Sequence, residues 1–172
     1  MNLPVDLKLD ANQAMETVGA WVAALVARWD SITDKKMRQA VPRLASKLAH
    51  QSGLNIAFGA ALEETPFDSP QMKRAEEKLR ELRKGMKEVL DLLKSIDPQF
   101  GSAHTDLVAS LAATVTIKDN FLWKATNGNL LNPAFRAGVA EGMHSQANKL
   151  KQASDSLSAA AAATNGTKST AD

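Results

Sequence analysis

The sequence predicts an all-α protein, a single bundle of five to six helices with one long amphipathic helix over about residues 70–97. Three observations carry that expectation. Eight apolar residues (Met72, Ala75, Leu79, Leu82, Met86, Val89, Leu93 and Ile96) alternate in steps of three and four without a break. That averages about 3.5 positions, the period of a helical seam that packs against another helix. A second stripe repeats the pattern through Ala11, Met15, Val18, Val22, Leu25, Trp29 and Ile32. Finally, 172 residues with 44% apolar and 23% charged side chains suit one soluble domain with a substantial core.

Taken in order, residues 1–9 read as an extended arm, and Asp10 or Asn12 can cap the first helix. Trp21 and Val26 widen its stripe, and no charge falls between Thr17 and Ala27. Such a helix is expected to be buried on more than one side or to face a second subunit. Thr33 or Asp34 opens the next segment, with Met37, Val41, Leu44 and Leu48 on one face. Lys36, Gln39, Arg43, Lys47 and His50 fall on the other. Pro42 lacks a backbone donor, which predicts a kink or restart. Ser52-Gly53 predicts a stop. Residues 54–64 then read as a short apolar helix of weak periodicity.

Pro66 and Pro70 bracket a turn, Ser69-Pro70 starts the long helix, and Asp97-Pro98 ends it. Gly85 costs that helix about 1 kcal/mol against Ala, which local packing must offset. Leu90 and Leu92 broaden the stripe at its C-terminal end, whereas Glu76, Lys78 and Arg83 flank a narrow seam at the other. The expectation is a helix rooted in the core with a projecting N-terminal half. Ser102 begins a fifth segment through Leu107, Val108, Leu111, Val115 and Leu122. Over 113–126 a hairpin is the alternative, because Val115-Thr116-Ile117 is β-branched and Asp119-Asn120 suits a turn. Asn127-Gly128 marks a terminus or turn, and Asn132-Pro133 restarts a helix through Phe135, Val139, Met143, Ala147 and Leu150. Residues 1–152 are expected to form the bundle, and the Ala/Ser/Thr-rich 153–172 a flexible tail.

The residue inventory narrows function. With no cysteine, disulfides, thiolate nucleophiles and Cys-ligated zinc are excluded, and with no tyrosine a common acid–base group is missing. The uncharged apolar stretch worth testing for a membrane, Thr17–Ala27, falls well short of the about 20 residues a bilayer span needs. The acidic residues before it have the wrong sign for a signal peptide, so a cytoplasmic protein with no membrane association is expected. Glu141-x-x-His144 has the carboxylate–histidine spacing of di-iron bundles. A second pair is required, and neither Lys47-x-x-His50 nor Gly101-x-x-His104 supplies it. No metal and no cofactor are therefore expected. Nothing resembles a nucleophile elbow or a phosphate-binding glycine loop, and the adjacent Glu63 and Glu64 diverge by about 100° on a helix. No catalytic residue is nominated, and no small-molecule substrate is expected.

Two surfaces remain as candidates. Met72, Leu79, Leu82, Met86 and Val89 form a candidate protein-interaction seam, coiled-coil-like in spacing, which either packs within the chain's own bundle or pairs with another chain. Lys35, Lys36, Arg38, Arg43 and Lys47 form a basic face able to hold anions or nucleic-acid phosphates. Residues 34–50 sum to +4 and residues 51–69 to −3, although the whole chain carries only +2. The basic face therefore also suits an acidic partner, including the acidic flank of a second copy. The expected function is that of a non-enzymatic helical adaptor or assembly protein acting through protein contacts and forming homo-oligomers. A nucleic-acid-binding accessory protein using the 35–47 face is the alternative. An exported or virion structural component is a third reading, drawn from composition alone.

Overall fold

A computed structural model of the chain describes residues 14–104, 106 and 121–171. Its elements are α1 (Ala14–Ala27), a 3-10 turn (Trp29–Ser31), α2 (Lys35–Glu63), α3 (Ser69–Ile96), α4 (Pro98–Ala103), α5 (Phe121–Ala125), a second 3-10 turn (Asn129–Leu131) and α6 (Pro133–Ala171). The all-α bundle expected from the sequence is what forms, and the described residues contain no strand.

Helix α2 is the hub, lying between α3 and α6. It runs antiparallel to both. Lys47 pairs with Glu88, Gln51 reaches Leu82, and Gln71 reaches Ala61, so rising numbers on α2 meet falling numbers on α3. Against α6 the register repeats every seven residues. Ala45 O accepts from Ser154 Oγ at 2.7 Å, and Ala147 O accepts from Ser52 Oγ at 2.8 Å. At the next step a Cβ on Gly59 would stand 3.4 Å from Ala140 O and 3.0 Å from His144 Cε1. Small residues therefore recur each heptad on both helices, and they let the two backbones approach closely. The serine hydroxyls donate to main-chain carbonyls across the joint, which satisfies polar groups that burial would otherwise penalise.

The interior divides into two apolar clusters. One gathers α1, the first half of α2, the C-terminal half of α3 and Leu150 and Leu157 of α6. The other gathers Phe58 and Leu62 of α2, Ala75, Leu79 and Leu82 of α3, Leu122, Leu130, and Phe135, Val139 and Met143 of α6. Buried Gln51, Ser52, Asn55 and Gln146 form a polar layer at the middle of α2 and α6. Asn55 Nδ2 donates to Gln146 Oε1 at 3.3 Å, and Gln51 Nε2 to Leu82 O at 2.7 Å.

Several boundaries differ from the sequence expectation for physical reasons. Helix α2 is continuous, where the sequence predicts a restart at Pro42 and a stop at Ser52-Gly53. Pro42 is exposed, and Gly53 is flanked by Gln51, Ser52 and Asn55, which are anchored to α3 and α6; tertiary contacts outweigh propensity there. Its N-cap is Asp34, whose side chain accepts from Lys36 N and Met37 N. The cap of α3 is Asp68 rather than Ser69, accepting from Gln71 N at 3.0 Å. Asp97 closes α3 and caps α4 by accepting from Gln99 N. Its second oxygen accepts from Trp21 Nε1 at 2.9 Å, which ties α1 to that corner. Asn132 Oδ1 caps α6, with Pro133 as first helical residue.

Helix α6 continues beyond residue 152. Ser154 and Leu157 are buried and Ala160 and Ala161 pack on the first cluster, so the packed part of the chain passes the expected boundary. Phe121–Ala125 is helical, whereas Leu107, Val108, Leu111 and Val115 and most of the 113–126 helix-or-hairpin choice lie outside the described residues. So do the arm over 1–9, the caps Asp10 and Asn12, and Ala11. Asn127 and Gly128 both adopt left-handed backbone (φ 51° and 76°), and Gly128 N donates to Trp123 O, closing α5.

Candidate functional site

The seam expected to be an interaction surface is consumed inside the molecule. Met72 is 9% exposed, Leu79, Leu82 and Met86 are 2% and Val89 is 1%. At about 1.5–3 kcal/mol for each fully buried large apolar side chain, these residues stabilise the bundle itself. The projecting N-terminal half does not occur, because α2, α5 and α6 cover it. The charged residues beside the seam take part in the covering. Glu76 and Arg83 are both 2% exposed; Glu76 Oε2 accepts from Phe121 N at 2.8 Å, and the Arg83 guanidinium lies 5.1 Å from the Phe121 ring centre. Together they seat the start of α5 on α3.

The basic face is divided in the same way. Arg38 turns inward: Nη2 donates to Trp29 O at 2.9 Å, Nε donates to Ile32 O, and its guanidinium stacks 4.9 Å from the Trp29 ring centre. It braces the turn between α1 and α2. Lys47 pairs with Glu88 across the α2–α3 joint at 3.6 Å. Lys35, Lys36 and Arg43 are exposed along the start of α2. Next to Arg43 and Lys47, a shallow cleft is also lined by Glu88 and Asp91, whose carboxylates oppose an incoming phosphate.

The histidines are used separately. His144 Nε2 meets Glu63 Oε1 at 3.3 Å rather than Glu141, His104 packs on Phe100 with ring centres 4.7 Å apart, and His50 is exposed. Among the described residues, no three His, Cys, Asp or Glu side chains converge as a metal would require.

What remains outside the core is apolar and unevenly distributed. Ile56, Trp123 and Leu131 are 48%, 43% and 56% exposed. Trp123 and Leu131 line a groove of about 670 Å³ with Phe67, Met72, Asp68 and Lys124. The Trp123 ring edge lies over Gly128, where a Cβ would come within 3.2 Å. Opposite the groove wall, Arg136 is buried, donating to Leu62 O and Leu130 O with its guanidinium 4.5 Å from the Phe67 ring centre. Ile56 belongs to a separate surface, the outer face of α2, beside exposed Ala49, Gly53 and Ala60.

Sequence reasoning missed Ile56, Trp123 and Leu131 because each sits in a segment whose other apolar residues are core. It also missed the seven-residue recurrence of Ala45, Ser52 and Gly59 against Ala140, Ala147 and Ser154, a spacing visible in the sequence but carried by small residues. Among the described residues, no helix is long and apolar enough to cross a membrane. Comparison of the chain with protein-family models, curated proteins and solved structures finds no match.

Proposed function

We propose that this chain is a non-enzymatic helical assembly protein that works through protein–protein contacts, self-association among them. The observation that supports the reading is the placement of large apolar side chains. A fold that already buries its entire helical seam still leaves Ile56, Trp123 and Leu131 turned outward. Single exposed apolar residues are ordinary, but an exposed tryptophan sharing a groove with an exposed leucine, and an uncharged helix face, are the usual material of interfaces. Nucleic-acid binding is the second reading, and it rests on exposed Lys35, Lys36 and Arg43; the engagement of Arg38 and Lys47 in the fold leaves it a small footprint.

Sedimentation velocity over a protein range of about 1 µM to about 1 mM tests the reading, since weak homo-oligomers populate within those limits. A mass that rises with concentration is expected. A monomer at every concentration would overturn self-association.

A further inference from the structure

Between Leu48 and Leu62, α2 carries no Lys, Arg, Asp or Glu. Its exposed residues in that span include Ala49, His50, Gly53, Ile56 and Ala60, with Ile56 standing furthest from the character of a solvated surface. Helix faces turned to water ordinarily carry charge, and this one keeps charge only at its ends. The two ends have opposite sign. Lys35, Lys36 and Arg43 are exposed at the start, and Glu63 and Glu64 at the finish. Arg43 and Glu63 lie at equal distance in sequence on either side of Gly53.

A charge distribution that reverses sign about its midpoint complements itself in one orientation. Laid antiparallel on a second copy, Arg43 faces the acidic end, with Lys35 and Lys36 just beyond it; laid parallel, like charges oppose each other. We infer that the outer face of α2 pairs with the same face of a second copy, antiparallel, about a two-fold axis at Gly53. Apart from the adjoining backbone of α2 itself, nothing lies within 4 Å of where a Gly53 Cβ would stand, so the two backbones can approach there. In that register Ile56 of each copy lies over His50 of the other, and Arg43 faces the Glu63–Glu64 end. The inference rests on the proposed self-association and specifies its surface. In that register residues 43–63 of the two α2 helices overlap over roughly 31 Å, and a contact strip about 10 Å wide covers about 300 Å² per copy, below the about 800 Å² of a stable interface. The pair is therefore concentration-dependent and salt-sensitive.

The test uses the full chain in sedimentation velocity, with circular dichroism confirming helicity of each variant. One variant carries Lys35→Glu, Lys36→Glu and Arg43→Glu, giving two acidic ends; a second carries Glu63→Lys and Glu64→Lys, giving two basic ends. Each alone is expected to weaken self-association by about tenfold or more, and an equimolar mixture is expected to restore it as a heterodimer. Ile56→Lys is expected to weaken it comparably without altering either end. Charge variants and Ile56→Lys that associate as well as the parent would overturn this surface while leaving self-association intact. So would a dimer lost only on Trp123→Ala with Leu131→Ser. A parent chain that is monomeric throughout would overturn both the surface and self-association.

Discussion

Gly85 provides the most direct check on how α2 and α3 are packed. In an open helical position, Gly→Ala stabilises by about 1 kcal/mol. At Gly85 a Cβ would fall on Gln51 Oε1 and stand 2.9 Å from Leu54 Cδ1. Leu54 is half-buried and its side-chain end can yield, but Gln51 is 1% exposed and held through Nε2 by Leu82 O. Displacing it forfeits a hydrogen bond worth about 1 kcal/mol and leaves a buried amide to be satisfied, at about 1–3 kcal/mol. After the gain in helix propensity, Gly85→Ala is expected to destabilise the fold by about 1–3 kcal/mol. That lowers Tm by about 2–4 °C for each kcal/mol in a chain of this size. Thermal and urea unfolding followed by circular dichroism should be run on Gly85→Ala, Gln51→Ala and the double variant. Removing the Gln51 amide opens room for the new methyl, so the double variant should be more stable than the sum of the single effects by about 1 kcal/mol or more. Gly138, exposed with nothing within 4 Å of its Cβ position, is the control, and its Ala variant should gain about 1 kcal/mol. If Gly85→Ala stabilises as Gly138→Ala does, or the double variant is strictly additive, the close approach of α2 to α3 at Gln51 is refuted.

Further expectations follow from individual contacts. Asp97→Ala removes both the cap of α4 and the acceptor for Trp21, and should cost about 1–3 kcal/mol in chemical denaturation. Arg38→Ala should destabilise by about 2 kcal/mol through the loss of charge-assisted bonds to Trp29 O and Ile32 O, whereas Lys36→Ala should stay within about 0.5 kcal/mol; equal effects would mean that Arg38 is a surface cation after all. Ser52→Leu at the α2–α6 joint should cost about 1–3 kcal/mol or prevent folding by overpacking, while Ser52→Ala should cost about 1 kcal/mol, read from unfolding midpoints. If duplex DNA binds through the start of α2, the slope of log affinity against log salt should not exceed about 3, since only Lys35, Lys36 and Arg43 are presented there. A steeper slope in a fluorescence titration would restore the nucleic-acid reading.

The apolar stripes of α1 and α3 were legible because large apolar side chains at helical spacing seldom recur over many turns unless that face is covered, and those of the stripe residues that the structure describes are buried in the fold. What spacing could not convey is who covers them. An alternation of threes and fours is satisfied equally by the chain's own helices and by another chain, and here α2, α5 and α6 provide the cover. Continuity of α2 was illegible for a different reason. Pro42 and Gly53 are local breakers, and the anchors that override them, Ser52 to Ala147 and Asn55 to Gln146, lie more than ninety positions away in sequence. The weak periodicity of residues 54–64 has a physical source. Phe58 and Leu62 face the core while Ile56 and Ala60 face outward, so apolar character on both sides erased the contrast that a periodicity search depends on. Glu76 and Arg83 read as flanks of a narrow seam rather than as buried groups because charge is rarely hidden, and nothing in the sequence announces the Phe121 amide and ring that receive them.

The polar layer at Gln51, Ser52, Asn55 and Gln146 has a mechanical consequence. Among the described residues, it works as a bulkhead between two oily compartments joined by the rods running through it. Damage in one compartment has few van der Waals routes into the other, so the two ends of the barrel can loosen on separate schedules while the rods stay zipped at the middle. Amide exchange should therefore resolve two populations of protected sites, with the slowest of all in the rods where they pass the bulkhead.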